Sequence, residues 1–508
     1  MDSTFIKINL ASYLIEDELI KDIPGALAKK HNFMPVFKIG DTLTIATSEP
    51  DNLVLLDELQ NELGMEIDVL LATTEDINNA IEQHYGVMDL IEASVTEAEQ
   101  RESYERDLGI QENIKVSTSE MSDSSIVNLV NLIISQAALR KASDIHIEPL
   151  EKEIIVRLRI DGEMSEMKKI PYKLLLPIVS RIKVMSGMDI AESRIPQDGH
   201  INMTIDGKAV ELRVSSLPTI FGENIVIRLL PKGGITFSLK DLGFADKIAD
   251  TFSKAIRSPY GIILVTGPTG SGKTTTLYAV LNEINDISKN IITLEDPVES
   301  QIELVRQVQI NPKAGLHFST GLRSILRQDP DVIMVGEIRD LETAELAIRS
   351  ALTGHLVFST LHTNDSPSAL IRLIDMGVEP FLVSSSILAV LAQRLVRTIC
   401  KKCKTEYKPT ADELDLLGLD ESKTYYKGRG CKACNKTGYK GRTGIYELLI
   451  LNENMKEQLI KRVSALELRR IALDLGLLSM QLDGIEKIEA GVTTPEEVLK
   501  VTDFLKAK

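Results

Sequence analysis

At 508 residues the chain is long enough for roughly three or four domains of ~150 residues each. Its 58 Lys and Arg stand against 74 Asp and Glu, a formal charge of −16 with no long basic block, which argues against a dedicated nucleic-acid binder and leaves room only for a local basic groove. No apolar run reaches roughly 18 residues, and Met1-Asp-Ser-Thr-Phe-Ile-Lys7 lacks the basic start and apolar core of a signal peptide, so a cytoplasmic protein is expected.

Residues 1–86 read as a first unit. Thr42-Leu-Thr-Ile-Ala46 alternates as a strand does, and Leu53 to Leu63 and Glu75 to Tyr85 carry apolar residues at helical spacing. Residues 87–122 are acidic and polar, with Glu97, Glu99, Glu102, Glu105 and Asp107 close together. Such a stretch buries little apolar surface and reads as a linker or as a charged surface helix.

A second unit spans 123–231. Asp123 and Ser124 suit the start of a helix whose apolar face is Ile126, Leu129, Val130, Ile133 and Ala137. Three Asp-Gly pairs follow, Asp161-Gly162, Asp198-Gly199 and Asp206-Gly207, each a hairpin signal. Ile154 to Ile160 and Val210 to Val214 look like strands. The unit is expected to be α+β with an antiparallel sheet.

The third unit, 232–395, alternates strands and helices. The apolar run Gly261 to Thr266 predicts a buried strand, and Thr274 to Leu281 the helix after it. Between them Gly267-Pro-Thr-Gly-Ser-Gly-Lys273-Thr274 fits G-x-x-x-x-G-K-[ST] at every fixed position. The glycines let backbone N–H groups and the helix N-terminus wrap a phosphate. In this reading Gly267, Pro268, Thr269, Gly270, Ser271, Gly272, Lys273, Thr274 and Thr275 bind nucleotide, with Lys273 on the β- and γ-phosphates and Thr274 on Mg²⁺. Ile291–Leu294, Val332–Val335 and Leu356–Ser359 are further core strands, and Leu341–Leu352 is a helix, an order that implies a parallel sheet covered on both faces.

Those strands end in polar residues. Glu295 is placed to orient an attacking water. Asp331-Val-Ile-Met-Val-Gly336-Glu337 has the shape of a Walker B strand with Gly336 where the Asp usually stands, so Glu337 takes the Mg²⁺ role through water. His362 follows a strand and can sense the γ-phosphate, while His355 reads equally as structural. The plainer alternative for both acids is capping of the next helix.

The fourth unit opens with Cys400-Lys-Lys-Cys403 and Cys431-Lys-Ala-Cys434, which hold every cysteine of the chain. Two C-x-x-C pairs supply the four thiolates of a structural Zn²⁺ site, and Lys401, Lys402, Lys404, Lys432 and Lys436 are expected to offset its charge and depress the thiol pKa values. Residues 396–440 form this insertion and 441–508 a helical part, including a helix opened by Thr494-Pro495-Glu496-Glu497.

From about 123 to 508 the chain resembles the ATPases of type II secretion and type IV pilus assembly. That family carries a Walker A loop, an Asp box, an atypical Walker B and a His box, which here read GPTGSGKT (267–274), TLEDPVE (293–299), RQDPDVIMVGEIRD (327–340) and TGHLVFSTLHTND (353–365). The resemblance implies an α/β chain: a RecA-like P-loop ATPase domain, preceded by an α+β (PAS-like) domain and an N-terminal secretion-ATPase domain, with a zinc-binding insertion. It implies an ATP- and Mg²⁺-dependent homohexamer, Glu295 as catalytic base, Glu337 as organiser of Mg²⁺, and phosphate-reaching arginines at Arg213 and Arg228, with Arg194 a weaker candidate. The zinc insertion resembles that of extension and secretion members and favours assembly over retraction. Implied partners are a polytopic inner-membrane platform protein and a membrane-associated protein docked by the N-terminal domain. Residues 1–86 resemble that domain through Ile23-Pro24, Ala28, His31-Asn32, Pro35-Val36 and Ala46-Thr-Ser-Glu-Pro50. Some members bind cyclic-di-GMP through a leading Arg-Leu-Gly segment that this chain lacks, so that ligand is not expected. The rival readings are a RecA-like nucleic-acid motor or a DNA-uptake traffic ATPase, and a non-hydrolysing scaffold; the lysines suit a DNA-binding zinc ribbon as well as a structural zinc site.

Overall fold

Alternating and continuous apolar runs build different sheets in the computed structural model, which describes residues 23–39, 42–84, 124–205, 207–231 and 238–502 and the isolated positions 8, 10 and 19. The acidic segment 87–122, Asp123 and Asp206 lie outside the described residues. Two compact units divide the chain between Pro231 and Lys232.

In the first unit, β1 (Phe33–Ile39), β2 (Thr42–Thr47) and β3 (Glu66–Leu71) form a small sheet, with β1 antiparallel and β3 parallel to β2. Its helices among the described residues are Gly25–Lys30, Leu53–Leu63, closed by Gly64 at φ 65°, and Thr74–His84. A second sheet has the order β6-β5-β4-β9-β8-β7, from β4 (Asp144–Pro149), β5 (Glu153–Ile160), β6 (Glu163–Pro171), β7 (Gln197–Ile205), β8 (Lys208–Thr219) and β9 (Gly222–Pro231). All its neighbours are antiparallel. One face buries Ile145, Val156, Leu212 and Ile227 against the helices Ser124–Leu139 and Leu175–Ser186.

Asp161 and Gly162 have φ of 50° and 93° and form the two-residue turn expected between β5 and β6. Asp198-Gly199 does not turn: both residues lie inside β7, opposite Ser215 and Val214. A Cβ at Gly199 would lie 2.4 Å from the Ser186 carbonyl, so this glycine admits the helix end against the strand.

The second unit holds a seven-stranded sheet, order β12-β11-β13-β14-β10-β15-β18. Its strands are β10 (Gly261–Thr266), β11 (Ile291–Glu295), β12 (Arg306–Gln309), β13 (Val332–Val335), β14 (Leu356–Leu361), β15 (Ile387–Ile399) and β18 (Tyr439–Ile450). The first six pair in parallel, and β18 closes the edge antiparallel to β15. Ile262 and Leu264 of β10 enter one apolar core and Ile263 and Val265 the other, so continuous burial reflects cover on both faces.

The expected boundaries at 395/396 and 440/441 both fall inside strands, β15 and β18, because these two strands pair with each other. The cysteine segment is therefore an excursion between paired strands, with a small hairpin of β16 (Lys404–Tyr407) and β17 (Tyr425–Gly428). The helix Pro495–Val501 starts as expected, with Thr494 accepting from the Glu497 N–H at 3.4 Å.

Candidate functional site

The C-terminal ends of β10, β11, β13 and β14 gather the site. Gly267, Gly270 and Gly272 sit at φ 151°, 79° and 89°. A Cβ at Gly267 would lie 2.6 Å from both the Gln393 carbonyl oxygen and Ser271 Oγ, so the loop needs glycine there to close its cradle. Lys273 opens the helix Lys273–Ile284, and its ammonium donates to the carbonyls of Gly267 at 2.8 Å and Pro268 at 3.1 Å. Burial lowers the Lys273 pKa, with Glu337 opposing and Arg394 adding to the effect. Pro268, Thr269, Gly270 and Thr274 are exposed, and Thr275 is half-buried.

Glu295 ends β11 and is 3% exposed. Its carboxylate accepts from Thr293 Oγ1 at 2.6 Å, Gln307 Nε2 at 3.1 Å and the Tyr278 hydroxyl. Burial, followed by the hydrogen bond to Glu295 and then the Glu295 charge, raises the Tyr278 pKa and keeps the phenol a donor. Glu337 lies two residues beyond β13, bonded to Arg339, with Oε2 3.4 Å from His362 Nε2. The Glu337 bond raises the Arg339 pKa. Gly336 stands 3.1 Å, at its virtual Cβ, from the Leu294 carbonyl, which limits side-chain size beside Glu295.

His362 follows β14, and the next residue ties the loop down: Thr266 Oγ1 accepts from the Thr363 N–H at 2.9 Å and lies 2.7 Å from Thr363 Oγ1. His355 sits at the opposite end of β14, with Nδ1 2.8 Å from the Ser350 carbonyl, as a structural histidine. Lys273, Glu295, Glu337 and His362 thus share one edge of one sheet, and His355 does not.

Gln393 was not foreseen. It is 1% exposed on β15, donates to the Ser271 carbonyl at 2.7 Å and accepts from Thr276 Oγ1 at 2.8 Å, so it anchors the phosphate loop from behind. Its signal in the sequence is a lone amide after the apolar run Ile387 to Ala392.

Arg213 and Arg228 belong to the first unit, directly opposite each other on β8 and β9. Arg228 Nε lies 2.9 Å from Asp144 Oδ1, and Arg213 Nε lies 3.9 Å from Glu211. Arg194 is held by Glu192 at 2.7 Å on an exposed loop.

The Sγ atoms of Cys400, Cys403, Cys431 and Cys434 all lie within 4.8 Å of one another. The separations Cys400–Cys431 and Cys403–Cys434 are 3.8 Å, and Cys431–Cys434 is 3.7 Å. A tetrahedron with Zn–S bonds of ~2.3 Å has edges of ~3.8 Å, so the donor set fits zinc. Burial, neighbouring thiols and backbone N–H donors are the causes that shift Cys403 and Cys434. Burial and neighbouring thiols push Cys403 up to about 12. In Cys434 burial is outweighed by N–H donors of Cys431 and Gly438, which bring it to about 7. Lys404 turns instead to the Gly491 carbonyl and the Tyr426 ring.

The family model described as "Type II/IV secretion system protein" matches residues 119–500, and the MshEN domain model matches 3–89. The type IV pilus assembly ATPase PilB of Myxococcus xanthus is 44% identical over 97% of this chain and 88% of its own length. The type II secretion system protein E of Aeromonas hydrophila is 51% identical over 75% of this chain and 76% of its own. A crystal structure of the pilus retraction motor PilT with bound ADP covers 74% of this chain and 97% of that one, at 27% identity and TM-score 0.51. The breadth of the family match and the identity to these relatives establish that this chain belongs to the type II/IV secretion system protein family.

Proposed function

We propose that this chain, a P-loop ATPase, is the motor that assembles a type IV pilus or a type II secretion pseudopilus at the cytoplasmic face of the inner membrane. The observation that carries the reading is the meeting of Lys273, Glu295, Glu337 and His362 at one sheet edge. The glycine cradle and the exposed Thr274 suit a nucleotide with Mg²⁺, which when bound would screen phosphate charge.

In this reading Lys273 leaves the Gly267 and Pro268 carbonyls for the β- and γ-phosphates. Glu295 takes the proton of the attacking water, its carboxylate held in place by Thr293, Gln307 and Tyr278. Glu337 would help to hold Mg²⁺, and His362, 3.4 Å from Glu337, would report the γ-phosphate to the loop tied at Thr266. Arg213 and Arg228 add charge-assisted bonds to the phosphates. The four cysteines would hold a structural zinc, their Sγ atoms lying within 4.8 Å of one another.

The active form is a homohexamer that passes motion to a polytopic platform protein, and the N-terminal unit docks on a membrane-associated partner. Direct nucleic-acid binding and cyclic-di-GMP are not part of this reading. Mixing two inactive subunits tests it. One carries Glu295→Gln, the other Arg213→Ala with Arg228→Ala. ATP hydrolysis restored in co-assembled rings supports sites completed between subunits. Mixed rings that stay inactive would remove that arrangement.

A further inference from the structure

One row of the six-stranded sheet carries charge from strand to strand. Arg159 of β5 stands opposite Asp144 of β4, Asp144 opposite Arg228 of β9, Arg228 opposite Arg213 of β8, and Arg213 opposite His200 of β7. Residues paired in this way share a face. Their chain neighbours Ile145, Leu158, Ile227 and Leu212 enter the core on the other side, so the row lies on the face turned from the core.

Among these groups Asp144 is the one carboxylate. It is 5% exposed, accepts from Ser143 Oγ at 2.8 Å and from Arg228 Nε at 2.9 Å, and lies 3.7 Å from Arg159 Nε. Burial would raise its pKa, but the bonds from Arg228 and Ser143 and the charges of Arg228 and Arg159 hold it below the ordinary carboxylate range. The Arg228 side chain is 62% exposed. A long side chain on an open face samples several rotamers and loses that freedom only when a bond fixes it. A bond at Nε sets the guanidinium plane and still allows a planar fork of donors to meet phosphate oxygens.

We propose that Asp144 is a positioning residue for nucleotide binding: it fixes the guanidinium of Arg228 through Nε, so that Arg228 meets the phosphates already oriented. This rests on the reading of Arg228 as a phosphate ligand given under the proposed function.

The test uses the full chain with four variants: Asp144→Asn, Arg228→Ala, the two combined, and Arg228→Lys. Melting temperature, kcat and KM for ATP are measured for each. Asp144→Asn is expected to raise KM about tenfold with a smaller change in kcat. The combined variant is expected to match Arg228→Ala alone, because without the guanidinium Asp144 has nothing to orient. Arg228→Lys is expected to lose as much as Arg228→Ala, since one ammonium cannot hold Asp144 and present a fork to phosphate.

A combined variant that shows the product of both single losses overturns the proposal. So does wild-type KM in either Asp144→Asn or Arg228→Lys. Wild-type KM in Arg228→Ala instead overturns the reading of Arg228 itself, and the role of Asp144 falls with it. If Asp144→Asn does not fold, Asp144→Glu takes its place with the same expectations, because it keeps the charge and shifts the acceptor from Arg228 Nε by one methylene.

Discussion

Tyr278, one turn into the helix behind the phosphate loop, donates its hydroxyl hydrogen to Glu295 at the end of β11. The same hydroxyl oxygen accepts the Glu299 N–H at 3.1 Å. One phenol therefore joins the phosphate-binding helix, the acid and the turn beyond it.

Glu295→Gln is expected to lower kcat at least about a hundredfold while nucleotide binding stays near wild type, because the amide keeps the shape and loses the base. Tyr278→Phe should lower kcat about tenfold, since Glu295 loses one of its buried donors. Steady-state turnover and fluorescent-nucleotide titration check both. Near-normal turnover in Glu295→Gln removes it as the base.

Gln393→Leu keeps roughly the side-chain volume and breaks the bonds to Ser271 and Thr276. Leaving those groups unpaired in a buried site should cost about 2 kcal/mol of stability and raise KM for ATP more than it lowers kcat. Melting curves with and without a nonhydrolysable ATP analogue separate the two effects. An unchanged melting temperature would mean that Gln393 does not anchor the loop.

Metal analysis of the purified protein is expected to find one zinc per chain, released by a thiol-reactive reagent. Removal should destabilise the excursion between β15 and β18, which a zinc on Cys400, Cys403, Cys431 and Cys434 would staple. A protein free of zinc, with unchanged protease resistance after thiol modification, sinks this assignment.

Acid stability should report the pair Arg397–Glu497, with Nη2 to Oε1 at 2.6 Å. Burial would raise the Glu497 pKa, but the Arg397 bonds prevail and hold it below its ordinary value. A depressed carboxylate contributes stability above its unfolded pKa of ~4.3, and that contribution disappears as pH falls through the folded value. Glu497→Gln should thus destabilise at pH 7 and lose less on acidification than wild type. Parallel acid-unfolding curves for the two proteins would refute the pairing.

Local chemistry determined much of this protein directly from its sequence. The phosphate loop needs only glycines, Lys273 and a strand–helix junction within a few residues. Two C-x-x-C pairs announce a four-thiolate donor set, and Thr494-Pro495 marks a helix start because cap and ring act on adjacent backbone. The tertiary structure decided what depends on distant partners. Asp198-Gly199 has the composition of a turn, yet pairing with β8 and the approach of Ser186 keep it extended. His355 and His362 share one short stretch, and only the direction of β14 puts one at the site and the other at the far end. Gln393 became visible when β15 passed behind the phosphate loop, and the charged row from Arg159 to His200 when five strands fell into register. Turn, cap and ligand preferences act over a few bonds. Strand register and burial bring together residues distant in sequence, such as Asp144 with Arg228 and Gln393 with Ser271, and no local pattern encodes them.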